Sequence, residues 1–239
     1  MGKARPGERA IAARPMHFFW IVDCSGSMMI DGKMQSLNNA IDESIPAMRD
    51  VAEENPFAEI LVRTVRFSSG AQWQDSQPTA VADFKWTNLD AEGVTDMGAA
   101  FELVAEQLAV DKMGERGYPP VLVLLSDGQP TDDWKKGLDK LLNTPWGKRA
   151  SRIAIAIGND ADHEPLQAFI NNIEFPVLQA NNPQRLVTLI RWASSAVSKA
   201  ASAPASKKAE APGEESGAQA TPPPPPPEDE DASADDDVW

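Results

Sequence analysis

Phe18-Phe19-Trp20-Ile21-Val22-Asp23-Cys24-Ser25-Gly26-Ser27 is the stretch on which the fold turns. An apolar run closes on an aspartate, and serines follow two and four residues later. Apolar side chains on both alternations mark a strand covered on both faces, as in the middle of a parallel sheet. In such sheets ligands bind beyond the carboxyl ends of the strands, and Asp23, Ser25 and Ser27 stand at that end. One carboxylate and two hydroxyls make a hard oxygen cluster of low charge. That set suits Mg²⁺ or Mn²⁺ better than a softer metal.

Two segments further along carry matching chemistry. Gly93-Val94-Thr95-Asp96-Met97-Gly98 offers a hydroxyl in a turn ahead of a helix, and Val121-Leu122-Val123-Leu124-Leu125-Ser126-Asp127-Gly128 is a second buried strand ending in an aspartate. Thr95 could instead cap the following helix, but Asp96 beside it can take that role. Asp127 alone reads as a turn aspartate before Gly128. Asp132 and Asp133 read as caps or rim charges.

Taken in order, D-x-S-x-S, a distant loop threonine and a strand-end aspartate resemble the metal-ion-dependent adhesion site of von Willebrand factor A domains. The resemblance covers residues 16–199. It implies that Ser25, Ser27 and Thr95 ligate Mg²⁺ (or Mn²⁺) through hydroxyls, while Asp23 and Asp127 act directly or through water. Two carboxylates only neutralise the ion, so an open position stays electrophilic toward a carboxylate from a partner protein. Phe19-Trp20-Ile21-Val22-Asp23-Cys24-Ser25-Gly26-Ser27-Met28, the following Gly32-Lys33-Met34 and Leu125-Ser126-Asp127-Gly128-Gln129-Pro130-Thr131-Asp132 are similar to the bacterial TerY-like group, associated with tellurite resistance and stress. That likeness implies a 2C-type protein phosphatase and a Ser/Thr kinase as partners.

The hydrophobic pattern predicts the remaining elements. The first strand spans about 17–23. A helix over 33–54 places Met34, Leu37, Ile41, Ile45 and Met48 on one stripe. Ala58–Phe67 alternates as a strand, and Gly70–Trp73 pairs with it as a short edge hairpin. A helix over 97–110 follows, then the strand Val121–Ser126 and a helix ending near 143. The strand Arg152–Ile157, a helix over 163–172 and a short strand Val177–Gln179 come next. Pro183 opens a final helix reaching 199, with Leu186, Leu189, Ile190, Ala193 and Val197 inward. The expected fold is a doubly wound α/β sheet, mostly parallel, with one antiparallel edge strand and helices on both faces.

Three regions follow: a basic lead-in (1–15), the domain (16–199) and a proline-rich acidic tail (200–239). The tail holds ten carboxylates and two lysines, so it carries −8 of the net −14. Pro222–Pro227 is expected as extended polyproline II, and the tail as disordered until something binds it. Its end, Asp235-Asp236-Asp237-Val238-Trp239, reads as a solubilising segment, a docking peptide or a carboxylate source for a metal site.

This charge argues against nucleic acid and anionic membrane surfaces as partners. One cysteine forms no intramolecular disulfide, no stretch reaches the roughly 20 apolar residues of a membrane span, and no secretory signal is evident. A cytoplasmic protein is expected. Cys24 lacks the arginine six residues on that a phosphatase loop needs, because that position is Ile30. His17 and His163 lie away from the cluster. Gly32-Lys33-Met34 lacks the rest of a phosphate-binding loop. The expectation is a non-enzymatic binding module acting as a scaffold or regulator. The alternatives are a metal-dependent hydrolase or phosphotransferase on the same fold, or an adaptor for a partner ATPase.

Overall fold

The computed structural model describes residues 13–172, 174–202 and 223–227. Expectations for the first twelve residues, and for the tail at 203–222 and 228–239, lie outside the described residues.

Among the described residues seven strands form one sheet: β1 (Arg14–Asp23), β2 (Ala58–Ser68), β3 (Gly70–Trp73), β4 (Thr79–Ala80), β5 (Val121–Ser126), β6 (Ser151–Ile157) and β7 (Leu178–Ala180). Their order is β3-β2-β1-β5-β6-β7, with β4 also on β2. Pairing is parallel from β2 through β1, β5 and β6 to β7, and antiparallel where β3 and β4 meet β2. The expected single antiparallel strand is therefore two. The second is only two residues long and has no alternation to reveal it.

The helices are α1 (Lys33–Glu54), α2 (Met97–Gln107), α3 (Val110–Met113), α4 (Trp134–Asn143), α5 (Pro145–Arg149), α6 (His163–Ile170), α7 (Pro183–Trp192) and α8 (Ser198–Ala201). The alternation of β1 explains their placement. Met16, Phe18, Trp20 and Val22 pack into a core with α1 and α7, whereas Phe19 and Ile21 pack into a second core with α2, α4 and α6. Both faces are dry, which is why the strand reads as a continuous apolar run. The direction in which strands are added to the sheet reverses between the parallel neighbours β1 and β5. After β1 the chain crosses to β2 on one side, and after β5 it crosses to β6 on the other. That is the switch point where open α/β sheets form a crevice.

Several boundaries shift by one or two residues, and three departures from the sequence reading are larger. β1 begins at Arg14 rather than near residue 17, because the Arg14 amide reaches the Phe57 carbonyl at 2.9 Å and extends the ladder. The expected helix over 97–110 breaks at Ala109, whose extended backbone separates α2 from α3. The expected single helix from Pro183 to 199 contains a π-turn at Ala193–Val197. There Ser194 and Ser195 donate their hydroxyls to the carbonyls of Ile190 and Arg191, four residues back. Such back-bonding competes for the helix acceptors and loosens the ladder.

Candidate metal centre

Asp23 closes β1 and is fully buried. Its Oδ1 accepts the Ser25 amide at 2.8 Å, and its Oδ2 accepts the Ser126 hydroxyl at 2.5 Å. Burial pushes its carboxyl up to about 6; the Ser126 bond pulls it down, and the neighbouring Asp127 charge adds to the rise. Ser25 and Ser27 face one another, their hydroxyl oxygens 2.9 Å apart.

Asp127 follows β5, across the switch point from Asp23. It too is fully buried, and neither carboxylate oxygen has a hydrogen-bond partner. The other buried side-chain atoms without partners among the described residues are His17 Nδ1, Trp20 Nε1, Thr64 Oγ1 and Ser198 Oγ. Asp127 is the one carboxylate in that set. Its own carbonyl accepts the Asp162 amide at 2.9 Å. Gly128, at φ 73°, passes so close to Asp162 that any Cβ would strike the Asp162 backbone, so the turn after Asp127 needs glycine.

Thr95 arrives on the third loop. The Glu92 amide donates to the Cys24 carbonyl at 2.7 Å and the Gly26 amide to the Gly93 carbonyl at 3.1 Å, stitching this loop to the Ser25–Ser27 turn. On its other side Thr95 exchanges bonds with Thr131, its amide donating to Oγ1 at 3.1 Å and its carbonyl accepting the Thr131 amide at 2.9 Å. Asp23, Ser25, Ser27 and Asp127 thus meet directly through bonds and charge, while Thr95 is joined to them through its loop.

Capping differs from the sequence reading at α2 and agrees with it at α4. Asp96 flanks α2 but makes no cap. Its carboxylate instead accepts the Gly70 amide at 2.7 Å and the Thr131 hydroxyl at 3.2 Å. The amides of Gly98 and Ala99 are capped by Asp132, both at 2.9 Å, and Asp133 caps α4 through the Lys136 amide.

Three further residues gain partners that their types alone did not suggest. Ser126 bridges Asp23 and the Gly128 amide, the latter at 2.8 Å. Asp132 ties α2 to the loop after Asp127. Lys33 opens α1 with its side chain 4% exposed and its Nζ 3.1 Å from Asp160 Oδ1. Only a contact between segments far apart in sequence gives these residues meaning, so no local signal could have found the first two.

Cys24 is buried and its thiol is pushed up to about 12, chiefly by burial, so it stays protonated and a poor nucleophile. His17 lies near the start of β1, stacked on Phe19. His163 opens α6, with Nε2 3.0 Å from Gln179 Oε1. No group of three or more His, Cys, Asp or Glu side chains gathers among the described residues. Any ion here would be held by two carboxylates supplemented by hydroxyls.

A family model for the von Willebrand factor type A domain matches residues 19–190. The chain belongs to the von Willebrand factor type A domain family. Members are often metal-dependent protein-interaction modules. Among solved structures the chain is similar to a von Willebrand factor type A protein from Catenulispora acidiphila (18% identity, TM-score 0.58, covering 79% of this chain and 43% of that one). It is also similar to the ArnB paralog VWA2 from Sulfolobus acidocaldarius (17%, 0.55, 77% and 46%). A third is proximal thread matrix protein 1 from the mussel byssus (18%, 0.56, 78% and 49%). The chain spans less than half the length of each, and at these identities the likeness is one of fold. No curated protein matches the chain. No helix among the described residues is long and apolar enough to cross a membrane.

Proposed function

We propose that this chain is a metal-dependent protein-binding module whose ion, Mg²⁺ or Mn²⁺, is held by Asp23, Ser25, Ser27, Thr95 and Asp127. The observation that carries this reading is the Asp127 carboxylate, buried beside Asp23 with both oxygens unpartnered. A buried carboxylate without donors costs on the order of several kcal/mol unless a cation or proton offsets it. A hard divalent ion among two carboxylates and three hydroxyls meets that need. When bound, the ion supplies a Lewis-acidic position toward an incoming carboxylate.

The surroundings favour a protein as the partner. Among the large exposed apolar side chains are Met29 (66%), Ile30 (55%) and Val94 (47%). Met29 and Ile30 follow Ser27, and Val94 precedes Thr95, so an apolar rim flanks the proposed ion. Exposed apolar groups beside a site mark an interaction surface. A partner would present an acidic side chain to the ion and apolar side chains to this rim. A non-enzymatic role fits, because the cluster offers no histidine and its cysteine is buried and protonated. A cytoplasmic scaffold or regulator in a TerY-like stress, tellurite-resistance or phospho-signalling complex, alongside a 2C-type phosphatase and a Ser/Thr kinase, is the finer form of this proposal. The motif stretches quoted above support it.

Calorimetric titration of Mg²⁺ and Mn²⁺ into the wild-type chain and Asp23→Ala tests the ion. Saturable binding to wild type, lost in the variant, is expected. Equal binding by both would overturn the assignment. Metal-dependent phosphatase turnover abolished by Asp23→Ala would favour the hydrolase alternative.

A further inference from the structure

The segment Pro223–Pro227 lies against α7 and is bonded to it at both ends. Trp192 Nε1 donates to the Pro224 carbonyl at 3.1 Å. Arg185 donates to the Pro227 carbonyl through one terminal nitrogen at 2.7 Å and to the Pro226 carbonyl through the other at 3.0 Å. Pro223, Pro225 and Pro226 are half-buried. A proline run has no amide hydrogens and no internal hydrogen bonds, so its carbonyls are the only backbone groups a partner can recognise. Recognition therefore demands donors, and α7 supplies an indole N–H and a guanidinium.

The spacing matches as well. Arg185 and Trp192 are seven residues apart, two helical turns, and so share one face of α7 about 10.5 Å apart along the axis. Pro224 and Pro227 are three residues apart, one turn of polyproline II, and so share one face about 9 Å apart. The segment runs antiparallel to α7, with Pro224 at the end of α7 and Pro227 at its first turn. Trp192 is held for this contact by stacking on Phe175, with ring centroids 6.0 Å apart. An aromatic donor and a second polar donor at one polyproline repeat are the elements by which Pro-rich segments are bound on other folds.

We propose that the Arg185–Trp192 face of α7 is a polyproline-binding site, and that the chain's own Pro223–Pro227 segment is its resident ligand. The strap holds Pro223–Pro227 on the domain. Its Pro227 end lies beside the first turn of α7, which opens at the carboxyl edge of the sheet. The site is independent of the metal proposal, since none of its residues belongs to the Asp23–Asp127 cluster.

The test uses the full chain and a full-length variant with serine in place of all six prolines, Pro222–Pro227. The indole N–H resonance of Trp192 is assigned by its loss in Trp192→Phe, which keeps an aromatic ring. This resonance is expected to differ between the two chains. A synthetic peptide spanning Thr221–Asp231 should return it to the wild-type position in the serine variant and leave it unmoved in wild type at the same concentration. Arg185→Gln in the serine variant should weaken the peptide about tenfold. Identical Trp192 resonances in the two chains, or peptide affinity unchanged by Arg185→Gln, would overturn the site. Equal peptide binding by both chains would overturn occupancy by the chain's own prolines.

Discussion

The Ser126 hydroxyl donates to Oδ2 of Asp23 at 2.5 Å, joining the carboxyl end of β5 to that of β1 across the switch point of the sheet. Ser126 Oγ in turn accepts the Gly128 amide. Ser126→Ala therefore strands one acceptor and one donor, both buried. The expected cost is about 1–3 kcal/mol in urea denaturation. The bond also holds the Asp23 carboxyl down, so carbon-13 titration should place that carboxyl above its wild-type value. A variant with an unchanged titration would show that the bond is not formed in solution.

Protons and the proposed ion compete for Asp23. Its carboxyl ionises at about 6, and a ligand must be deprotonated to bind a metal. Mg²⁺ affinity should be flat well above pH 6 and fall about tenfold per unit below it. Calorimetry between pH 5 and 8 reads this directly. Affinity that holds constant down to pH 5 would remove Asp23 from the ion's shell.

His17, in the first half of β1, and Asp23, at its carboxyl end, pull stability in opposite directions with pH. Burial, with the Arg63 charge behind it, lowers His17 to about 4. Its stabilising contribution is complete above the ordinary imidazole value of 6.5 and is lost as pH falls through 4. Asp23 is raised from 3.8 to about 6. Its contribution is complete below 3.8 and is lost as pH rises through 6. Each is worth about 3 kcal/mol, so in the metal-free protein they largely cancel between pH 4 and 6. His17→Phe should expose stability that grows on acidification across that window, and Asp23→Asn stability that shrinks. Denaturation midpoints at pH 4.5 and 7 for the two variants check both signs.

Much of this fold was legible because its strands are short, apolar and interrupted by amphipathic helices. The helix over 33–54 was read at its observed bounds, even through the exposed Pro46, because its apolar stripe outweighs one poor residue. The edge strand Gly70–Trp73 was marked by its glycine turn. What stayed hidden depends on contacts distant in sequence. Asp132 caps α2 from 33 to 34 residues away, and β4 exists only because Thr79 and Ala80 meet Val62 and Leu61. At the candidate site, Asp23, Ser25, Ser27, Thr95 and Asp127 could be singled out by type and position. The support from Ser126 could not, since a serine beside an aspartate carries no signal until β1 and β5 pair.

Gly98 and Gly137 let α2 and α4 approach closely; a Cβ on Gly137 would collide with the Gly98 backbone. Alanine normally favours a helix over glycine by about 1 kcal/mol. Here overpacking should outweigh that gain, and Gly137→Ala should destabilise by about 1–3 kcal/mol. Thermal denaturation decides the sign, and a stabilised variant would mean that the two helices sit further apart.

Asp127 carries the sharpest conflict between stability and the proposed role. Its oxygens have no donors, and its charge faces that of Asp23. Asp127→Asn keeps the volume, removes one charge and introduces an amide that can donate to Asp23. In the absence of divalent ions at pH 8 the variant should be more stable than wild type by about 1–3 kcal/mol. Added Mg²⁺ should raise the wild-type melting temperature and leave the variant unmoved. A variant less stable than metal-free wild type would mean that Asp127 already has a partner in solution, and the case for an ion between the two strand ends would fail with it.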